Sequence, residues 1–325
     1  MAKTVKPQRL KRGDKVGIIS PSGSVLSRKP HFEKAIDNFC SKFGLEPVIG
    51  DTTFGRHFFT SAPLDQRVNE LHKMFIDPSI KAIVWTVGGS AAMGMIDKLD
   101  YELIKKNPKV FLGISDFTTL ALPINKKTGL VVFHGIELGN FADLDMTYTS
   151  SSLRKTLFEK QYGEVPSNEK WKDFRDNPTR YDGRFSIREG SAEGVIVGGV
   201  CTPVSLLANT EYCPSFKGSI LVLDFYKFAK KQIYAFLKNL HLKGLFSEIN
   251  GLIIGHTVGG DTPEVEGNEM SLKDLVLEAT EGYAFPIMQV GEIGHYVENF
   301  ILPIGARASM DSGNLTFSID EAVVE

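Results

Sequence analysis

Two short apolar runs, residues 82–87 (AIVWTV) and 110–112 (VFL), each stop abruptly in small residues. Gly88-Gly89-Ser90 follows the first, and Gly113-Ile114-Ser115-Asp116 follows the second. Runs this continuous and this short, punctuated by glycine, are the signature of strands buried on both faces of a parallel sheet. In such a sheet the backbone just beyond the carboxyl ends of neighbouring strands forms the reaction crevice. A serine on the second turn can present its hydroxyl there, and a Gly-Gly turn lets backbone N–H groups approach a substrate carbonyl. The competing reading is simpler: Ser115 and Asp116 cap the helix that starts near Thr118. The stretch is not the Gly-x-Ser-x-Gly elbow, because Phe117 stands where the second glycine belongs.

The same alternation runs through the first half of the chain. Residues 15–20 (KVGIIS) predict a strand, and Phe32, Ala35, Ile36, Phe39 and Phe43 then recur at helical spacing before Gly44. A strand at 46–49, a helix marked by Val68, Leu71, Met74 and Phe75, and the strand at 82–87 follow. After these come a helix near 91–99, the strand at 110–112, a helix from Asp116 and a strand at 130–133. This rhythm predicts a doubly wound parallel sheet. Residues 161–192 lose periodicity and gain charge and proline, which marks a linker or a lid facing substrate. Beyond them, strands are expected at 195–197, 220–223, 252–254, 287–290 and 315–319. One clear helix is striped by Ile233, Phe236, Leu237 and Leu240 and stopped at Gly244. The expected division is residues 1–160, a linker or lid at 161–192, and a second domain at 193–325. Two domains also suit a length of 325 residues.

Charge and cysteine content narrow the function classes. A net charge of −2 gives no whole-chain attraction for nucleic acid or an anionic membrane. Three cysteines, Cys40, Cys201 and Cys213, are an odd number without metal-like spacing, and they fit buried thiols in a reducing compartment. No apolar run reaches the ~18 residues that span a bilayer, and no signal-peptide core opens the chain, so a cytoplasmic protein is expected. HExxH, CxxC and Walker-type sequences are absent, so neither metal nor cofactor is expected. Glu264 and Glu266 read as a solvated acidic loop.

Serine acyl transfer needs a base, and the base an orienting carboxylate. Among seven histidines, His31, His57, His72 and His241 lie in helical patterns, a polar loop or a helix end. His134, His256 and His295 each follow an apolar run where a base can overhang a crevice. His295 has the best setting, between Gly291-Glu292-Ile293-Gly294 and Leu302-Pro303-Ile304-Gly305. Asp224 closes the apolar run 220–223. It is either a buried carboxylate that needs a partner or a cap for the helix expected near Phe228.

These pieces resemble, over nearly the full length, the serine LD-carboxypeptidase family, which includes the microcin C immunity hydrolases. The resemblance rests first on Pro7 through Val16 (PQRLKRGDKV) and Asp100-Tyr101. It rests most specifically on Asn107-Pro108-Lys109-Val110-Phe111-Leu112-Gly113-Ile114-Ser115-Asp116. Thr128-Gly129-Leu130, Phe133-His134-Gly135, Gly198-Gly199, Gly218-Ser219-Ile220-Leu221 and Gly294-His295 through Gly305 continue it. Val87-Gly88-Gly89 and Glu211-Tyr212-Cys213-Pro214 are similar to the microcin-immunity branch.

The resemblance implies a flavodoxin-like N-terminal domain and a smaller, β-rich, swivelling C-terminal domain. It implies Ser115 as nucleophile, His295 as general base, and an oxyanion hole from the N–H groups of Gly89 and Asp116. Asp224, in Leu223-Asp224-Phe225, stands where the family carries glutamate. Gly88, Ser90 and Trp171 would line the substrate, with Trp171 a candidate for stacking on a base. Arg56 and Arg188 are candidates for holding a terminal carboxylate. The implied substrate is a small murein L,D-peptide or a microcin-type aminoacyl-nucleotide, and the implied assembly a homodimer. Tyr296 and Glu298 after the histidine, and Val200-Cys201 after Gly-Gly, depart from the family pattern. They and Asp224 keep open an alternative in which the fold binds or sequesters such a ligand without cleaving it.

Overall fold

The structure is a computed structural model that describes residues 4–174, 183–257 and 270–325. The chain packs as two compact units. One comprises residues 1–161, 301–305 and 322–325, and the other residues 162–300 and 306–321. Residues 161–192, expected as a linker or lid, therefore give the second unit two of its strands. Residues 301–305 and the last four residues return to the first.

In the first unit, β1 (Lys15–Ile19), β2 (Glu46–Ile49), β3 (Ile80–Trp85), β4 (Val110–Gly113) and β5 (Val132–His134) lie parallel in the order β2-β1-β3-β4-β5. This is the flavodoxin-like order, whose switch point falls between β1 and β3. The returning segment Leu302–Ile304 adds an antiparallel edge beside β5. The strands pair through helices α1 (Lys29–Phe43), α2 (Leu64–Ile76), α3 (Tyr101–Lys106) and α4 (Thr118–Thr128), followed by α5 (Thr147–Leu153). The helical stripe of α1 is buried as its spacing predicts: Phe32, Ala35, Ile36, Phe39 and Phe43 all face the core. The helix expected near 91–99 is a 3₁₀ segment, Ala92–Lys98.

In the second unit, β6 (Gly163–Glu164), β7 (Arg184–Arg188), β8 (Ser191–Val200), β9 (Ser219–Asp224), β10 (Gly251–Ile254) and β11 (Ile287–Val290) come before the return through β12, the Leu302–Ile304 edge. Then come β13 (Arg307–Asp311) and β14 (Thr316–Ile319). The eight-stranded sheet runs β6-β14-β13-β8-β9-β10-β11-β7. Its centre, β8 to β11, is parallel, and the flanking strands are antiparallel. Every residue of β9, β10 and β11 is buried, which is why these strands are mostly apolar in the sequence, with Ser219, Asp224 and Gln289 as buried polar exceptions. Helices α6 (Cys201–Leu207), α7 (Lys230–Leu242) and α8 (Leu272–Ala279) complete the unit. The stripe Ile233, Phe236, Leu237 and Leu240 is the buried face of α7. The β-rich second domain is thus a mixed sheet with helices, and the protein is a two-domain α/β chain.

Candidate active site

In the first unit, the loops after β1, β3 and β4 meet at the carboxyl ends of neighbouring parallel strands. Ser115 begins the turn between β4 and α4 with φ +70°. A serine in the left-handed region is held there only by its surroundings, at a cost on the order of 1–3 kcal/mol. The restraint is aromatic. Phe117, at the position where an elbow motif would carry glycine, is fully buried against Trp85 (ring centroids 5.6 Å) and Phe111 (4.7 Å). Burying such a ring stabilises by roughly 1.5–3 kcal/mol, enough to offset the strained turn.

The Gly-Gly turn presses directly on this serine. A Cβ built on Gly88 would lie 2.5 Å from both Cβ and Oγ of Ser115 and 3.5 Å from the amide nitrogen of Asp116. Only glycine brings that backbone so close to the hydroxyl. Gly89 (φ +154°) abuts Ser22 in the loop after β1, and Gly23 donates its N–H to Gly88 O at 3.1 Å. Gly89 and Ser90 are exposed.

The carboxylate of Asp116 ties these three loops together. Its Oδ2 accepts from Ser22 Oγ (2.6 Å) and from the Ala92 N–H (2.9 Å), and its Oδ1 from Thr119 Oγ1 (2.7 Å). Helix capping is therefore a minor part of its work. Arg67, on α2, completes the frame by donating to the carbonyls of Ala62, Pro21 and Ala91. Burial pushes its guanidinium below the ordinary value, and the charge of Asp116 opposes that shift. Sequence reasoning missed Arg67, although an arginine among the buried positions of α2 was the available signal.

In the second unit, Asp224 ends β9 and His295 follows β11, so both stand at carboxyl ends of the parallel strands. His295 Nδ1 lies 2.9 Å from Asp224 Oδ2, with the Asp224 side chain fully buried and that of His295 6% exposed. Asp224 lies five residues before Ala229, the N-cap of α7, and so does not cap that helix. Tyr226 stacks on the imidazole at 4.1 Å and 26°, and its hydroxyl lies 3.1 Å from that of Tyr296. Nδ1 is thus turned to the carboxylate. Beneath the pair, burial, reinforced by the charge of Asp224, pushes the Cys201 thiol up to about 12, so it stays protonated and inert.

The remaining candidates fall elsewhere. Trp171 is half-buried; its Nε1 donates to Gly291 O at 2.6 Å and its ring meets His256 edge-on. His256 faces Asp173, a partner that the sequence reading did not single out. His134 is buried at the end of β5, beside Gly113. His31 pairs with Asp143, His72 accepts from the Asp100 N–H, and His241 Nδ1 is 3.0 Å from Tyr283 Oη. Arg188 spends its donors on Phe285 O and on Thr280, which ties the end of α8 to β7, while Arg56 is exposed. Glu264 and Glu266 lie outside the described residues. Among the described residues no group of His, Cys, Asp and Glu could hold a metal ion, and no helix is long and apolar enough to cross a membrane.

Comparison with known proteins places this geometry. Residues 16–135 match the model of the LD-carboxypeptidase N-terminal domain, and residues 193–310 that of the LD-carboxypeptidase C-terminal domain. A Bacillus subtilis protein named "Probable murein peptide carboxypeptidase" is 28% identical over 98% of this chain and 96% of its own length. The Escherichia coli microcin C7 self-immunity protein MccF is 26% identical over 95% of this chain and 94% of its own. A structure of MccF in complex with aspartyl sulfamoyl adenosine superposes with a TM-score of 0.89 at 24% identity, covering 99% of this chain and 100% of that one. The crystal structure of an MccF-like protein from Bacillus anthracis superposes with a TM-score of 0.87 at 30% identity, covering 98% and 100% of the two chains.

Proposed function

The chain belongs to the LD-carboxypeptidase family, and from that premise we propose that it is a serine hydrolase cleaving an amide bond near the carboxyl end of a small substrate. The substrate class is a murein L,D-peptide or an aminoacyl-nucleotide of the microcin type. Ser115 is the nucleophile, His295 the general base, and Asp224 the carboxylate that orients it.

In this reading His295 Nε2 takes the Ser115 proton as Oγ attacks the carbonyl carbon. Asp224, against Nδ1, fixes the tautomer and stabilises the imidazolium that forms. The N–H groups of Gly89 and Asp116 hold the oxyanion; a single donor of this kind is worth about 2.7–4 kcal/mol. The imidazolium then protonates the leaving amine, and water, deprotonated by His295, releases the acyl group and restores the serine. Gly88, Ser90 and Trp171 are assigned to the substrate, Trp171 to the planar base of a nucleotide.

The observation that carries the reading is the pair His295 Nδ1–Asp224 Oδ2 at 2.9 Å. A shorter acid than the family's glutamate still reaches the imidazole, which favours hydrolysis over sequestration. The strained Ser115 turn is the independent support from the first unit.

The test is product analysis with murein tetrapeptide and processed microcin side by side, using wild type and Ser115→Ala. Cleavage of either by wild type and of neither by the variant is the expected result. Tight binding of one ligand without turnover, and no adduct with a fluorophosphonate probe, would establish the sequestering alternative instead.

A further inference from the structure

The loop that carries His295 is held by a second histidine–carboxylate pair. We propose that His256 and Asp173 are positioning residues that clasp the Trp171 segment to this loop and so fix the catalytic base. The proposal rests on the role assigned to His295 above.

His256 follows β10, the strand between those that end at Asp224 and before His295. Its Nε2 lies 2.9 Å from Asp173 Oδ2, and both side chains are fully buried. A buried carboxylate is costly to leave without a partner, so removing His256 is strongly destabilising to the local arrangement. The pair acts through the loop that holds His295.

Its contacts are with the loop on both sides of His295. The His256 N–H donates to Ile293 O at 2.6 Å. Gly294 sits at φ +147°, and a Cβ there would come within 3.0 Å of His256 Cβ, so the loop lies flat on this residue. Trp171 packs edge-on against the imidazole of His256 at 5.2 Å while donating to Gly291 O, and the Phe174 N–H donates to Tyr296 O at 2.7 Å. Glu292 adds a parallel tie: it accepts from the Asn168 N–H (2.7 Å) and pairs with Arg184 Nε (3.2 Å). Positions 291, 293, 294 and 296, the near neighbours of the base, are therefore all engaged by His256 or by residues 171–174.

The clasp answers a conformational need. Tyr296, next to the base, has φ +61°, a conformation that persists only where surrounding contacts over-determine it. Asp173 and Trp171 share one short segment, so its packing and that of the His295 loop are linked through His256.

The experiment compares His256→Ala, which removes the donor, with His256→Gln, whose amide nitrogen can replace Nε2. The readouts are kcat and KM on whichever substrate wild type cleaves, and hydrogen exchange at residues 163–174 and 291–299. His256→Ala is expected to lower kcat about 10- to 100-fold, the cost of a base displaced by up to ~1 Å, with KM within about threefold for a murein peptide and raised for a nucleotide substrate, whose base Trp171 would stack on. Exchange is expected to rise in both segments together, and His256→Gln to restore kcat to within about threefold of wild type. Unchanged kcat in His256→Ala, or faster exchange in only one segment, overturns the clasp. If wild type cleaves nothing, the proposed hydrolase fails, and the exchange result alone then decides whether the two segments are coupled.

Discussion

Substituting Gly88 by alanine is the most quantitative probe of the nucleophile turn. The added Cβ would sit 2.5 Å from Ser115 Cβ and Oγ, whereas carbon atoms pack at about 3.5–4.0 Å. The two groups must separate by ~1 Å. The hydroxyl can rotate away, but Ser115 Cβ cannot, because Phe117 anchors the turn against Trp85 and Phe111. The displacement therefore falls on Ser115, the proposed nucleophile, or on the Gly-Gly backbone proposed to hold the oxyanion. A misplacement on the order of 1 Å costs ~10²-fold in rate, or about 2.7 kcal/mol of transition-state stabilisation. Overpacking also lowers stability by about 1–3 kcal/mol. The assay is the second-order rate of fluorophosphonate labelling alongside kcat/KM, with urea unfolding to confirm a folded variant. Gly94→Ala is the control, since its nearest neighbour would be Leu64 Cδ1 at 3.9 Å. A folded Gly88→Ala protein that labels within about threefold of wild type would refute the reasoning.

Three further outcomes are expected. Asp224→Glu pushes the carboxylate ~1.5 Å into a site already filled at a 2.9 Å contact, so kcat/KM should fall about 10- to 100-fold; a gain would show that the native site is detuned. Asp116→Ala leaves the buried Ala92 N–H without its acceptor, at about 1–3 kcal/mol, and a urea midpoint equal to wild type would contradict this. Burial raises the Glu70 carboxyl above its ordinary value, with Thr52 hydrogen bonds opposing. Its contribution to stability is then present below the unfolded-state value and lost as pH rises through the folded one. The stability of Glu70→Gln relative to wild type should therefore increase as pH rises from about 4 to 7, and a decrease would contradict the sign.

The parallel sheet of the first unit was legible because β3, β4 and β5 are buried almost throughout and stop at or near small residues, so composition and periodicity agree. Ser115 was visible at such a stop, but its conformation was not. The turn is held by Phe117 buried against Trp85 and Phe111, a tertiary contact that replaces the local glycine signal. Strands β7 (Arg184–Arg188), at the sheet edge, and β13 (Arg307–Asp311), between β14 and β8, were missed because their charged, part-exposed residues leave little apolar pattern. The segment after Ala91 has a helical pattern yet forms 3₁₀ turns, and its spacing alone does not separate the two. His256 was noted as a base candidate, but Asp173 lies 83 residues away in an aperiodic charged stretch, and no local spacing links them.

The central claim is that Ser115 is the nucleophile and His295 its base. Intact-mass analysis after fluorophosphonate treatment, with peptide mapping of the adduct, tests it most directly. The account predicts one adduct per chain, on Ser115, abolished in Ser115→Ala and slowed at least about 10²-fold in His295→Ala. An adduct on another residue, or undiminished labelling in His295→Ala, would contradict it.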